Sequence, residues 1–332
     1  MDQTALLRSV RFRAEREADW RRLESLVAEA EQHGLHRMDF ASARDLAAGY
    51  RRATTSLAIA REISLDRALL DYLEALTARA YLCVYAPQER VGGIVGRFLA
   101  ASAPQAMRRC RMFIALGFLC MGLGILTGYL LYLDNESNYF LFLPPELAAG
   151  RTPQATTDYL RSVIYSNDPD QSGLGAFAAF LFSHNTRIAI FIFGLGVFLC
   201  APAIVLTFYN GLGLGAFMAL HVERGLGWDM GGWLSIHGVT ELCAICIACG
   251  GGIKLGAALL FPGPLSRRDA LQRAGRDAVK LALVAALMLF VAALLEGFLR
   301  QTVQDMTMRY AIGWGMGLIW LAWFFLAGRE RK

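Results

Sequence analysis

Charge is scarce in this chain. Only 18% of its 332 residues are Asp, Glu, Lys or Arg, 55% are hydrophobic, and the mean hydropathy is +0.39. That balance excludes a single soluble domain and fits a polytopic membrane protein with a soluble part. Several signatures are missing as well. There is no His-Glu-x-x-His pattern, no nucleophile–base constellation and no phosphate-binding glycine loop, which argues against the enzyme classes that depend on them. Residues 1–30 are charged and amphipathic without an apolar core region, so no cleavable signal peptide is expected and the first span serves as the targeting signal. Aromatic–basic interleaving and the named nucleic-acid motifs are absent, so nucleic acid is not an expected partner. The seven cysteines do not have the layout of a secreted disulfide framework.

What the sequence does hold is long apolar runs. Six segments read as spans, at about 112–133, 188–208, 211–222, 234–261, 281–299 and 310–327, since roughly 20 helical residues cross a hydrocarbon core. Two of them are irregular. The run 211–222 is short enough to be re-entrant, and 234–261 is too long for one upright span, with Gly250, Gly251 and Gly252 predicting a bend or break. The count is therefore five or six. Arg97, Arg108, Arg109 and Arg111 precede the first span, Arg267, Arg268, Arg273, Arg276 and Lys280 precede the fifth, and Arg329, Arg331 and Lys332 close the chain. Placing these clusters inside puts both termini in the cytoplasm of a multi-pass inner-membrane protein. The connection 134–187 is then outside, with six acidic residues against three Arg.

Residues 1–111 carry 18 Arg and 14 acidic residues and read as a separate region. A cytoplasmic helical bundle is expected over 1–87. Trp20, Leu23, Leu26, Val27 and Ala30 recur at helical intervals, Leu46, Tyr50 and Leu57 form a second apolar side, and Leu69, Leu70, Leu73, Leu76 and Tyr81 a third. Asp39 and Ser64 are the expected caps of the second and third helices, and Pro87 ends the third. The stretch 88–111 reads as one amphipathic helix on the inner surface, its arginines anchoring to lipid. In the connection, Pro144 and Pro145 forbid a continuous helix, and 174–183 reads as a helix in the outer interface with Phe177, Phe180, Leu181 and Phe182.

Polar residues inside apolar runs are the default candidates for function, because a charge in hydrocarbon is costly unless it faces a bundle interior. His237 and Glu241 share one face of the fourth span, four residues apart. Glu296 lies near the outer end of the fifth, and His184, Asn185 and Arg187 stand at the outer mouth of the second. Three readings of this cluster remain open. It is a structural clamp, a transport path in which a buried carboxylate exchanges a proton or binds a cation, or a metal or acid–base site with His237, Glu241, His184 and Glu296 as ligands. Cys243, Cys246 and Cys249 form a C-x-x-C-x-x-C string, but on an apolar helix such spacing reads first as small packing residues beside Ala244, Ala248 and Gly250. The Asn210-Gly211 pair reads as a tight inner turn between two spans.

Taken in order, His184-Asn185, Tyr209-Asn210-Gly211-Leu212-Gly213-Leu214-Gly215, His237-Gly238-Val239-Thr240-Glu241-Leu242 with the small-residue run through Gly252, and Leu295-Glu296-Gly297-Phe298 form an ordered set. The set resembles the stage II sporulation protein M family of integral membrane proteins, most strongly over 180–300, with 1–110 as the helical extension of longer members. The resemblance implies a helical membrane domain and partner proteins, since the sporulation member anchors a complex that remodels peptidoglycan. It supplies no catalytic residue. The expectation is an all-α polytopic helical membrane protein: a bundle at 1–87, the surface helix 88–111 and a transmembrane domain at 112–328. Its role is then that of a non-enzymatic component or scaffold of an envelope-associated complex, with no cofactor. Expected partners are the lipid bilayer, other membrane or envelope proteins and a second copy of the chain, a dimer being favoured. The alternatives are a transporter or channel for a small ion or lipid, and an intramembrane metal-dependent hydrolase.

Overall fold

The computed structural model describes residues 3–63, 66–85, 91–165, 174–299 and 302–329. All regular structure among them is helical, and contacts divide the chain into two compact units, Met1–Ile94 and Val95–Lys332.

The first unit holds α1 (Gln3–His33), α2 (Phe40–Ile63) and α3 (Arg67–Tyr85). Their apolar stripes meet in one core: Trp20, Leu23, Val27 and Ala30 of α1, Leu46, Ala53 and Ala60 of α2, and Leu69, Leu73, Leu76 and Ala80 of α3. Asp39 caps α2 by accepting a hydrogen bond from the Ser42 amide at 3.2 Å. At the start of α3, Asp66 accepts from the amides of Ala68 and Leu69; Ser64 and Pro87 lie outside the described residues. Tyr81 departs from the expected stripe. It is exposed and stands against Tyr50 and Tyr85 at ring separations of 6.2 and 5.2 Å.

Across the boundary of the two units, the stretch expected as a surface helix over 88–111 is helical from Val91 to Arg109, as α4 (Val91–Arg97), a π turn at Phe98–Ser102 and α5 (Ala103–Arg109). Residues 88–90 lie outside the described set. Ala103, Ala106, Met107 and Cys110 are buried in protein, small residues on this face letting α5 pack closely. The arginines of α5 also have protein partners. Arg108 donates to the carbonyls of Phe324, Ala327 and Gly328, and Arg109 pairs with Asp277 at 2.6 Å.

Six long helices follow: α6 (Arg111–Asp134), α8 (Leu174–Leu195), α9 (Ala201–Glu223), α10 (Gly227–Leu260), α11 (Arg267–Leu294, extended by a π turn to Leu299) and α12 (Met306–Leu326), with α7 (Thr157–Tyr165) in the connection. Among the described residues, α6, α9, α10, α11 with its π turn, and α12 are long and apolar enough to cross a membrane. Contacts set their directions. Gly124 meets Gly211 and Gly128 meets Leu212, so α6 and α9 run parallel, whereas Gly117 meets Cys246 and Gly250 meets Ile114, so α6 and α10 run opposite. The same logic pairs α8 and α12 with α10, through Gly252 against Ile192 and Gly313 against Ser235. Gln105 and Arg108 bond the end of α12 while Arg109 bonds α11, so the basic residues gather at one end of the bundle.

Three expectations about the backbone need correction. Asn210 and Gly211 form no turn; both lie inside α9, where Gly211 gives room for the Met121 carbonyl and Gly124 of α6. The turn falls at 196–200, with Leu199 and Cys200 at φ of 58° and 69°. Pro202 explains this shift: it stands in the first turn of α9, where its missing N–H has no helical partner to lose. The expected spans 188–208 and 211–222 are therefore repartitioned into α8 and α9, and the interfacial helix expected at 174–183 is the first part of α8. The side chains of Phe177, Phe180 and Leu181 lie outside the described set. Finally, Gly250, Gly251 and Gly252 do not break α10, which runs without interruption for 34 residues, about 51 Å at 1.5 Å per residue. Successive helical residues point about 100° apart, so these three face three neighbours, Ile114, Phe193 and Ile192, and each contact is too close for a side chain.

Candidate functional site

α10 carries His237 and Glu241 one turn apart, about 15 and 21 Å from its first residue. The helix starts at Gly227 rather than near 234, so both groups lie deeper below its end than the sequence indicates. Glu296 comes from the π turn Leu295–Leu299 of α11. A π turn inserts one residue into the helical ladder and rotates the residues beyond it. Here Glu296 is 5% exposed while Leu294 and Phe298 are 43% and 70% exposed, so the carboxylate points into the bundle and its apolar neighbours point out. The His237 Nε2 and Glu296 Oε1 atoms are 3.6 Å apart. His237 stands edge-on to Trp233, with ring centroids 6.0 Å apart.

These three groups line a cavity of about 190 Å3 whose other walls are Asn185 of α8, Gly213, Leu214 and Phe217 of α9, Trp233 and Leu234 of α10, and Leu143, Leu147 and Arg151 of the connection. Five elements thus converge on one site. One ligand atom each from His237, Glu241 and Glu296 fit within 4.8 Å of one another, a spacing from which a metal ion could be held.

Of the six residues singled out in the sequence, His237, Glu241, Glu296 and Asn185 come together here. His184 and Arg187 do not. Each helical step turns about 100°, so when Asn185 faces the cavity its neighbour His184 and the residue two further on point elsewhere, and Arg187 is exposed. His184 is therefore not among the possible ligands.

Arg151 is not legible in the sequence as a site residue. It sits in the connection, where charge is common, and reaches the cavity only because the connection folds back over the bundle. Its Nε and a terminal nitrogen donate to the carbonyls of Ala148 and Leu147 at 3.0 and 3.2 Å. Its guanidinium lies 5.3 Å from the Phe217 ring and 5.7 Å from that of Trp233. Burial pushes this group below its ordinary value, while Tyr139, Tyr159 and Glu296 pull it back up. The fold-back is held by Tyr139 donating to the Arg151 carbonyl at 2.5 Å, Arg224 to the Pro153 carbonyl at 2.5 Å and Tyr165 to Asp229 at 2.5 Å. Arg309, wholly buried at the start of α12, donates to the carbonyls of Val303 and Ile164 and fixes α12 to α7.

The cysteine string sits toward the opposite end. Cys246 and Cys249 are buried, Cys243 partly so, and all are free thiols. Cys249 lies 3.6 Å from the Ala203 carbonyl and Cys200 3.3 Å from that of Ile253, contacts of small side chains between closely packed helices.

No curated protein and no solved structure matches the chain. A domain of unknown function (DUF8413) matches residues 10–86, the span of the three-helix unit. Stage II sporulation protein M matches residues 116–300, more than half of the chain and all of the helices that line the cavity, so this multi-pass membrane protein belongs to that family.

Proposed function

We propose that the protein is a non-enzymatic membrane component of an envelope-associated assembly. In this reading the six-helix domain presents a one-ended binding cavity on the outer side of the cytoplasmic membrane. The three-helix unit is a docking platform for partners inside. The reading is carried by the difference between the two ends of the bundle. The cavity with His237, Glu241, Glu296 and Arg151 lies at the end that bears the connection. At the other end helices touch backbone to backbone, as at Gly196 against Gly252, Gly250 against Ile114 and Gly256 against Cys200. Crossings that exclude a methyl group exclude a hydrated ion as well. The basic clusters gathered at that tight end support an orientation with both termini in the cytoplasm.

A second reading, a transporter of a small ion, is favoured by one feature: two carboxylates share the cavity. Proteoliposomes separate the two. The receptor reading expects no proton or monovalent-cation flux above that of protein-free vesicles. A flux that Glu296→Gln abolishes would replace it with the transporter.

A further inference from the structure

The innermost wall of the cavity carries a donor set that the receptor reading leaves without a ligand. His237 and Glu241 are separated by one helical turn on α10, so an imidazole nitrogen and a carboxylate oxygen lie on one face. Glu296 adds a second carboxylate from α11, on the face that also buries Met288, Leu289 and Ala292, and it sits in a π turn, a feature that interrupts the hydrogen-bond ladder and is frequent at functional sites. The three donor atoms lie within 4.8 Å of one another. Two ligands each about 2.0–2.2 Å from one ion lie at most about 4.4 Å apart, so small side-chain rotations close the site.

Charge points the same way. Two carboxylates face each other in a bundle interior, where a like-charge pair is expensive, and Arg151 is the arginine that lines the same cavity. A divalent cation between the carboxylates reverses that repulsion. The donor chemistry narrows the ion. One imidazole with two carboxylates suits zinc and its first-row neighbours, whereas calcium and magnesium prefer all-oxygen shells and copper(I) prefers sulfur.

We propose that His237, Glu241 and Glu296 bind one divalent metal ion of the zinc class, leaving an open coordination position toward the cavity that accepts an anionic oxygen ligand beside Arg151. Three protein ligands leave a tetrahedral ion one position short, the arrangement that lets a metal hold an outside ligand. Arg151 stands where a carboxylate or phosphate oxygen on that position would meet a second positive charge. The proposal deepens the receptor reading by naming what the cavity holds.

The test uses the full chain in detergent, stripped with a chelator, loaded with Zn2+ and freed of excess metal by gel filtration. About one equivalent of zinc per chain is expected, together with a rise in the unfolding temperature, because an ion that binds only the folded state stabilises it. His237→Gln, Glu241→Gln and Glu296→Gln should each retain less than about a tenth of that zinc, with unchanged elution. Cys243→Ser with Cys246→Ser should retain all of it. Loading with Co2+ gives a second readout, visible absorption of nitrogen–oxygen coordination that the His237 variant lacks. Zinc-free wild-type protein after loading overturns the proposal even if a variant misfolds, as does zinc held equally by the triple variant or lost with the cysteines. Failure here is distinct from failure of the receptor reading, which rests on vesicle flux and not on metal content.

Discussion

The two halves of α10 belong to one helix and do opposite things. From Cys243 to Gly256 the helix is lined with Cys, Ala and Gly, and its neighbours come so close that a Cβ added at Gly117 would lie 2.5 Å from the Cys246 carbonyl and one added at Gly250 2.9 Å from the Ile114 backbone. From Trp233 to Glu241 it carries larger and polar side chains, and the neighbours stand off around a cavity. The two halves differ in side-chain size: without a hydrophobic drive between helices in lipid, association follows how closely backbones can approach. Where small residues stop, the bundle opens, and the opening is where polar groups can be housed.

The contrast can be broken most severely at the tight crossings. Gly128→Leu puts a side chain into the backbone of Leu212, and since neither helix can yield, the expected cost is about 3 kcal/mol or more. Thermal unfolding of the detergent-solubilised chain, or failure to recover monodisperse protein, reads this. Gly122→Ala in the same helix is the control. Nothing lies within 4 Å of its added Cβ, so stability should hold or rise by up to about 1 kcal/mol from helix propensity. Equal damage by both would mean that glycine content, not contact, governs the fold.

A comparable loss belongs to the first unit, whose core follows soluble rules. Leu73 is wholly buried, and Leu73→Ala should cost about 2–5 kcal/mol, seen as an early transition in unfolding monitored by Trp20 fluorescence.

At the open end the costs should be smaller and coupled. Arg151→Met removes two hydrogen bonds and the countercharge of the cavity, for an expected loss of about 2 kcal/mol. That loss should shrink when Glu296→Gln is present, because the neutral partner no longer needs the guanidinium. A double-mutant cycle with no coupling would mean that Arg151 only ties the connection down.

The smallest effect is at the Asp39 cap. The Ser42 hydroxyl and amide hold this carboxyl below its ordinary range. A depressed carboxyl contributes stability above its unfolded value and loses it as pH falls through the folded one. With the intrinsic slowing of amide exchange at lower pH divided out, protection over residues 38–46 should therefore fall on acidification from neutral pH, and Asp39→Ala should show low protection at both ends of the range.

Parts of the site are legible in the sequence because they are local. His237 and Glu241 share a face by spacing alone, and any ionisable residue in an apolar run stands out. Glu296 is visible for the same reason, although the π turn that carries it is not. The missing pieces are those set by distant chain. Arg151 looks ordinary in its own stretch. Gly124 and Gly128 show their purpose only against Gly211 and Gly215. Pro202 reads as lying inside a span, although proline suits a helix start; the two uses differ by a turn whose position depends on how α8 packs at Gly196.

The sequence by itself determined that this is an all-helical membrane protein with a separate three-helix unit and a few buried polar groups. Those properties follow from runs, periods and composition, each summed over near neighbours. The tertiary structure decided where α8 turns into α9, that the triple glycine stays within one unbroken helix, and which polar groups meet. Each of those depends on contacts between helices far apart in the chain, and a contact of two backbones leaves no trace in the hydropathy of either.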